Sequence, residues 1–285
     1  MTISLGNNLS ALRSITSLTK STRELSNSFE KLSSGLRINK ASDDPAGLAM
    51  AEGLRADAML AAVAVRNAND GISVVSIADA AMGEISSILG RMAELAEQSA
   101  NGTYTTTQRS ALASEFVALG SEIERIASTT AFNDMTLLSD SSSISIQVGF
   151  DNTGASVVQI DGVLATLDAL GVGTPGGALS YSINGASDAF AQTAAAAALD
   201  AINTAISTLA TNRGQIGAAE GRLSAAISYL EVARENYVAA DSRIRDADIA
   251  SEVAELVRQQ VLQQSAAAIL AQANQQPAVA LSLLQ

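Results

Sequence analysis

Three prolines, Pro45, Pro175 and Pro277, are all that this chain contains. Proline is the surest helix breaker, because its ring fixes φ and it has no N–H to donate. Their scarcity lets helices run well past the usual three turns. From Pro45 to about Ser99 the apolar residues recur at helical spacing. Ile72, Val75 and Met82 lie on the earlier turns, and Ile85, Leu89, Met92 and Leu95 form one stripe. At about 1.5 Å per residue this helix is ~80 Å long. Gly71, Gly83 and Gly90 weaken it locally, each by up to ~1 kcal/mol relative to Ala, so neighbouring helices must offset them.

The start of that helix is written into Leu32 to Ala49, LSSGLRINKASDDPAGLA. Gly35 suits a backbone position that other residues resist. Ser42, Asp43 and Asp44 are N-cap residue types, Pro45 falls at a first helical position, and Asp44 is pushed out of the α region by the proline after it. The paired carboxylates sit at the positive end of the new helix. Taken alone, this is a helix–loop–helix connector. A first helix leads into it over about residues 4 to 37. There Leu18, Leu25 and Leu32 fall seven apart, and Ile15, Phe29 and Leu36 share a neighbouring register with Thr22 filling the gap. These positions predict an a/d-type seam. Leu5, Leu9 and Leu12 drift to another face, and the first twelve residues carry no charged side chain.

Asn101-Gly102 is a helix stop signal. A third helix is expected over about Thr106 to Thr129, with Leu112, Phe116, Leu119, Ile123 and Ile126 at spacings of three and four. The short turn before it predicts a fold back against the long helix. Between about Asp140 and Asp188 Gly, Ser, Thr and Val accumulate. Ile144 to Gly149 and Ser156 to Gly162, with Asp151-Asn152-Thr153-Gly154 between them, read as a β-hairpin. Gly171 to Gly177 reads as a loop and Leu179 to Ile183 as a third short strand. Helical period returns from about Ala189 to Ala240. A charged break follows at Ser242 to Asp248, SRIRDAD, and a last helix runs from about Ile249 to near Pro277; no residue from Gln259 onward is charged. Both ends are thus apolar, uncharged helices joined through charged connectors to longer ones. The fold expected is mainly α: a long antiparallel coiled coil or helical bundle, with a small β-hairpin region in the middle of the chain. The termini pack on each other, either as an ordinary coiled-coil hairpin of a monomer or dimer or inside a larger assembly that excludes charge.

Composition narrows the function. There is no Cys, so disulfides and thiolate chemistry are absent, and no His, which removes the commonest general base and metal ligand. The net charge is −12 without a basic patch, which argues against nucleic acid and anionic membrane surfaces as partners. Aromatic residues are only 3%, and small apolar residues suit helices that pack closely along their length. No apolar run approaches the ~20 residues of a bilayer span. MTISLGNNLSAL has neither the basic start nor the continuous apolar core of a cleavable signal peptide. The carboxylate pairs Asp43/Asp44 and Asp246/Asp248 read as helix caps rather than as a glycosidase pair. No EF-hand, Walker A or dinucleotide-binding pattern stands out, so no enzyme activity, metal or cofactor is expected. Arg37, Arg243 and Arg245 lie in the charged connectors, where their guanidinium groups suit pairing with Asp43, Asp44, Asp246 or Asp248, within or between subunits.

LSSGLRINKASDDPAGLA closely resembles the N-terminal signature of bacterial flagellin. EIERIASTTAFN (Glu122 to Asn133), GAAEGRLSAAISYL (Gly217 to Leu230), ENYVAADSRIRDADIASE (Glu235 to Glu252), ILAQANQQP (Ile269 to Pro277) and the final AVALSLLQ resemble further segments of that family, in its order. Three places depart from it: Asn133-Asp134 where members usually have Asn-Gly, the MTISLGNN start, and Glu220-Gly221 where Gln-Asn is common. The resemblance implies a short flagellin with only the two core domains, a structural subunit that polymerises into the flagellar filament for motility. It implies type III export without a cleavable signal peptide and an extracellular location in the filament. It assigns residues 1–42 and 243–285 to an inner coiled-coil domain, 43–140 and 189–242 to an outer helical core domain, and 141–188 to the β-hairpin and loop region. Arg37, Asp43, Asp44, Pro45, Arg243, Arg245, Asp246 and Asp248 are then turn and interface candidates. Arg91, Leu95 and Glu115 match positions that Toll-like receptor 5 recognises in the family. The implied partners are other copies of the chain, hook–filament junction and cap proteins, and an export chaperone that takes the C-terminal helix. Two other readings stand beside this one. A hook–filament junction protein shares the terminal resemblance. A cytoplasmic helical signalling or adaptor module shares the Ala/Ser-rich hairpin, although the β-rich middle and the uncharged final segment argue against it.

Overall fold

The computed structural model describes residues 8–282, with side chains as far as residue 275. Leu5, the MTISLGN start and the end of the AVALSLLQ segment lie outside the described residues. Among those described, five α-helices carry the fold: α1 (Leu9–Ser34), α2 (Pro45–Ala100), α3 (Thr106–Thr129), α4 (Asp188–Arg245) and α5 (Ile249–Ser282). Three antiparallel hairpins lie between α3 and α4. They pair β1 (Ala131–Phe132) with β2 (Met135–Thr136), β3 (Ile144–Gln147) with β4 (Val157–Ile160), and β5 (Gly173–Thr174) with β6 (Ala178–Leu179). The chain forms two compact units. One holds the chain up to Ala58 and from Glu235 onward, and the other is Met59–Arg234. Helices α2 and α4 contribute to both.

In the first unit, α1 stops where Gly35 turns left-handed at φ +71 and its N–H reaches the Lys31 carbonyl at 2.8 Å. Helix α2 begins at Pro45, and Asp44 Oδ1 accepts the N–H groups of Ala46 at 3.1 Å and Gly47 at 2.9 Å. A Cβ on Gly47 would fall 2.8 Å from the Cδ1 of buried Ile38 and closer still to the Asp44 carboxylate, so a side chain there would displace the cap or Ile38. Helices α1 and α5 run antiparallel: Asn8 Nδ2 donates to the Ala273 carbonyl at 2.7 Å and Gln263 Nε2 to Thr22 Oγ1 at 3.0 Å. Their seam contains the predicted leucine row, but only as one of its two rows. Helix α1 buries Ala11, Ser14, Ser21 and Ser28, while α5 buries Gln259, Ala266 and Ala273. Leu18, Leu25 and Leu32 follow Ser14, Ser21 and Ser28 by four residues and are half-buried in the same seam, whereas Ile15 and Phe29, expected in the second row, are exposed. Both fully buried rows keep a seven-residue period, so the coiled-coil register holds, with mostly small side chains where the two backbones approach. The Ser14 hydroxyl is satisfied inside its own helix, donating to the Ser10 carbonyl at 2.9 Å.

The second unit has the larger core. Val75, Met82, Ile85, Leu89 and Met92 of α2 meet Phe116 and Ile123 of α3 and Ile202, Leu209 and Leu223 of α4. The α2 and α3 members are positions that the helical period singles out. Strands β3 and β4 pair Ile144 with Ile160 and Gln147 with Val157, closing around the expected turn. The segment after β4 buries Val163, Ala165, Leu167 and Leu170. Its backbone is tied down by Glu124 Oε2, which accepts the Leu167 N–H at 3.0 Å, and by Asn212 Nδ2, which donates to the Leu164 carbonyl at 3.0 Å.

Four expectations need correction. Only Leu179 of the proposed third strand is in a strand; Ile183 is instead buried in the core, with its carbonyl taken by the Ser99 hydroxyl at 2.5 Å. Helix α4 runs on to Arg245, so the charged break shrinks to Asp246–Asp248, because SRIR keeps its helical ladder. Helix α5 passes Pro277 and reaches Ser282, since the proline removes just one N–H near a helix end. Helix α2 also has a window apolar enough to cross a membrane by length and composition, with mean hydropathy 1.5, where none was expected. A third of that window, 33%, is buried inside the protein. Alanine explains both facts, since it raises hydropathy and also permits close helix packing.

Candidate assembly surfaces

The two connectors are stitched to each other through their backbones. The Arg37 N–H donates to the Arg245 carbonyl at 2.5 Å and the Ala247 N–H to the Gly35 carbonyl at 3.0 Å. Arg37 Nη2 adds a bond to the Ile244 carbonyl at 2.6 Å. Arg245 Nη1 reaches Glu52 of α2 at 2.9 Å, and Arg243 Nε donates to the Ala239 carbonyl at 3.2 Å. The expected arginine–aspartate pairs therefore do not form within the chain. The aspartates are taken by groups that helix starts and turns leave open. Asp43 Oδ2 accepts the N–H groups of Lys40 at 3.0 Å and Asn39 at 3.1 Å, and these bonds hold its carboxyl below the usual range. Asp44 caps α2 at Pro45. Asp248 Oδ1 accepts the N–H groups of Ala250 at 3.0 Å and Ser251 at 3.3 Å, capping α5. Asp246 accepts from the Ser242 hydroxyl.

In the second unit, Arg91 Nε donates to Glu115 Oε1 at 2.9 Å and Arg91 Nη1 to Glu94 Oε2 at 2.8 Å. Arg91 and Glu115 are each 45% exposed, so this is a surface pair that solvent screens. Leu95, matched by resemblance to the same recognition surface, is fully buried in the core and presents nothing to a partner. Helical period points its side chain inward with Met92.

Sequence reasoning missed Arg109. Its side chain is fully buried at the start of α3. Nε donates to the Ser99 carbonyl at 2.9 Å, Nη2 to the Asn101 carbonyl at 2.9 Å and Nη1 to Asp188 Oδ1 at 2.7 Å. One guanidinium thereby ties the end of α2 to the starts of α3 and α4. Nothing in the spacing marks Arg109, but Thr105 and Gln108 form a reciprocal capping box just before it, and that Thr-x-x-Gln signal was legible. Asp79 and Arg213 form a second missed link between α2 and α4, bidentate at 2.8 and 3.2 Å, and the guanidinium holds the Asp79 carboxyl below its usual range.

The outer faces of α1 and α5 are apolar. Leu9, Leu12, Ile15 and Phe29 are exposed on α1, as are Val253, Val257, Val261, Leu262 and Ile269 on α5. A shallow groove of about 260 Å³ runs between the helices, lined by Ser14, Ser21, Ala266 and Ile269 among others. Many large apolar side chains thus point out, while serines and alanines share the seam with the half-buried Leu18, Leu25, Leu32, Leu256 and Leu270. Exposed apolar surface on this scale marks an interaction site. Among the described residues, no group of three His, Cys, Asp or Glu side chains converges to hold a metal ion.

A mainly helical chain whose first and last described helices pair and still leave many large apolar residues outside is a subunit of an assembly. The model of the bacterial flagellin N-terminal helical region matches residues 5–143, and that of the C-terminal helical region matches residues 199–284. A flagellin of Halalkalibacterium halodurans is 43% identical over 258 residues, covering 90% of each chain. A flagellin of Bacillus subtilis is 36% identical over 304 aligned residues, covering 99% of each. Among solved structures, a putative flagellar hook-associated protein from Vibrio parahaemolyticus shares the fold, with a TM-score of 0.57 over 72% of this chain and 99% of that one, at 17% identity. The chain belongs to the flagellin family, the structural subunits of the bacterial flagellar filament. It carries the two core helical regions, with only a short β-rich segment between them.

Proposed function

We propose that this chain polymerises through its paired terminal helices, and that the filament so formed is extracellular and serves motility. The α1–α5 pair carries the reading: its outer faces leave Phe29, Val257, Val261 and Ile269 uncovered. Neighbouring copies cover those faces. The driving force is apolar burial, at roughly 25 cal/mol per Å² before the cost of ordering and association. Residues 1–42 and 243–285 act as the inner coiled-coil domain, 43–140 and 189–242 as the outer helical domain, and 141–188 as the β-hairpin and loop region. Arg37 ties the two connectors together and Arg245 ties one of them to Glu52 of α2, while Arg243 bonds only within its own helix, so the remaining donors of Arg37 and Arg243 serve contacts between copies. The protein works by assembly and not by catalysis.

The same reading supplies the finer partners. Hook–filament junction and cap proteins meet the ends of the polymer, and an export chaperone holds the C-terminal helix before type III export, which uses no cleaved signal peptide. The chain meets no nucleic acid and inserts into no membrane. Receptor recognition, by Toll-like receptor 5, rests on Arg91 and Glu115 without Leu95. The test is polymerisation of purified protein, seen by electron microscopy, beside a chain ending at Arg258. Long uniform filaments from the full chain alone are expected. Equal polymerisation of both would remove the terminal pair from the mechanism, and failure of both under seeding would favour a junction protein.

A further inference from the structure

The turn between α2 and α3 holds a reactive arrangement that assembly does not use. Asn101 is exposed and is followed by Gly102, which has no side chain to shield its amide nitrogen. Asn101 Oδ1 accepts the Thr103 N–H and the Thr103 hydroxyl, both at 3.1 Å. This bonding closes a ring around the Gly102 peptide. The backbone carbonyl of Asn101 belongs to that same peptide, and it accepts from Nη2 of buried Arg109 at 2.9 Å and from the Tyr104 N–H at 3.5 Å.

We propose that Asn101 is a spontaneous deamidation site whose reaction the fold promotes. Loss of the Gly102 amide proton to solvent hydroxide leaves an imidate, with its charge shared onto the Asn101 carbonyl oxygen. The Arg109 guanidinium donates to that oxygen, and a charge-assisted bond of this kind stabilises the anion. The nitrogen attacks Cγ of Asn101, and the developing negative charge falls on Oδ1, where the two Thr103 donors already point. The Cγ–Nδ2 bond breaks and Nδ2 departs as ammonia, taking a proton from water. The resulting succinimide adds water at one of its two carbonyls, giving aspartate or isoaspartate. Either product puts a new carboxylate near Arg109, whose carboxylate partner is now Asp188. Isoaspartate also lengthens the backbone of the turn by one carbon.

The test follows the tryptic peptide between Arg91 and Arg109, in which Asn101 is the single asparagine. The intact protein is held at mildly alkaline pH, folded in one sample and unfolded in urea in the other, and the deamidated fraction is read by mass spectrometry. A faster rate in the folded protein is expected. An equal or slower folded rate overturns the proposal, because the Asn-Gly dipeptide alone would then set the chemistry. In Thr103→Val, checked for an unchanged circular dichroism spectrum, the folded rate drops on the order of fivefold, the worth of one neutral hydrogen bond. Its rate in urea stays that of the parent. An unchanged folded rate in that variant likewise overturns the role given to Thr103.

Discussion

Asn133 and Asp134 turn β1 into β2 with φ of +48 and +64. Two consecutive left-handed residues are what a two-residue hairpin turn of type I′ demands, and glycine is the usual second member. Asp134 holds a conformation that costs an L-residue ~1 kcal/mol or more. Asp134→Gly is therefore expected to stabilise the protein by up to ~1 kcal/mol, seen as a higher melting temperature; an unchanged or lower value would mean that the aspartate compensates elsewhere. Asp43 makes a different kind of prediction. Its carboxyl accepts backbone bonds from Lys40 and Asn39, so its folded pKa lies below its unfolded value of ~3.9. A group of this sort contributes stability that is present above about pH 4 and is lost as pH falls through the folded value. Asp43→Asn should unfold at lower urea concentration than the parent at neutral pH. The gap should close in acid. A gap independent of pH would show that the carboxylate charge is not what Asn39 and Lys40 respond to.

At the scale of elements, α2 contains the sharpest test of why its glycines are there. A Cβ on Gly83 or Gly90 would meet nothing within 4 Å in the isolated chain. Alanine at either place should then stabilise α2 by up to ~1 kcal/mol. If the open space exists for close approach of a neighbouring copy, the same variants should melt higher and polymerise more slowly; faster polymerisation would remove that explanation. The start of α3 tests the buried guanidinium. Asp188→Asn leaves Arg109 without its counter-ion. Removing a partner of a buried charge costs about 3–5 kcal/mol, and an exposed carboxylate such as Asp188 should cost well under that. Chemical denaturation measures it, and no loss would mean that the carbonyls of Ser99 and Asn101 suffice. Helices α1 to α5 were legible because proline, glycine and cap residues punctuate a strong period; Thr106 to Thr129 reads directly off Leu112, Phe116 and Ile123. The α1 seam was half legible: the row of Leu18, Leu25 and Leu32 is there, but the second row is Ser14, Ser21 and Ser28 instead of Ile15 and Phe29, because apolar spacing does not register the small polar side chains that let two backbones approach. The capping roles of Asp44 and Asp248 were legible from their places before α2 and α5, but their pairing with arginine was expected beside them, and charge complementarity alone does not say that the open N–H groups of a helix start win the carboxylate.

For the whole molecule, the net charge of −12 and the apolar faces of α1 and α5 act in opposite directions on association. Free copies repel, and salt shortens that repulsion to a Debye length of about 8 Å at physiological strength. The faces attract only at contact. Association should thus speed up with added salt, and more with sulfate than with chloride at equal ionic strength, because sulfate also strengthens apolar burial. The distribution of lysine makes the location of the contact measurable. Every lysine of the chain, Lys20, Lys31 and Lys40, lies on α1 or in the connector after it. Lys20 and Lys40 are exposed in the single chain, and Lys31 is partly so. If copies cover the α1–α5 pair, brief acylation of the polymer should modify Lys20 much less than the same treatment of the monomer, while arginines on the second unit such as Arg125 keep their reactivity toward dicarbonyl reagents. Full labelling of Lys20 in polymer would place the contact elsewhere, and the exposed Phe29 and Ile269 would then need another cover.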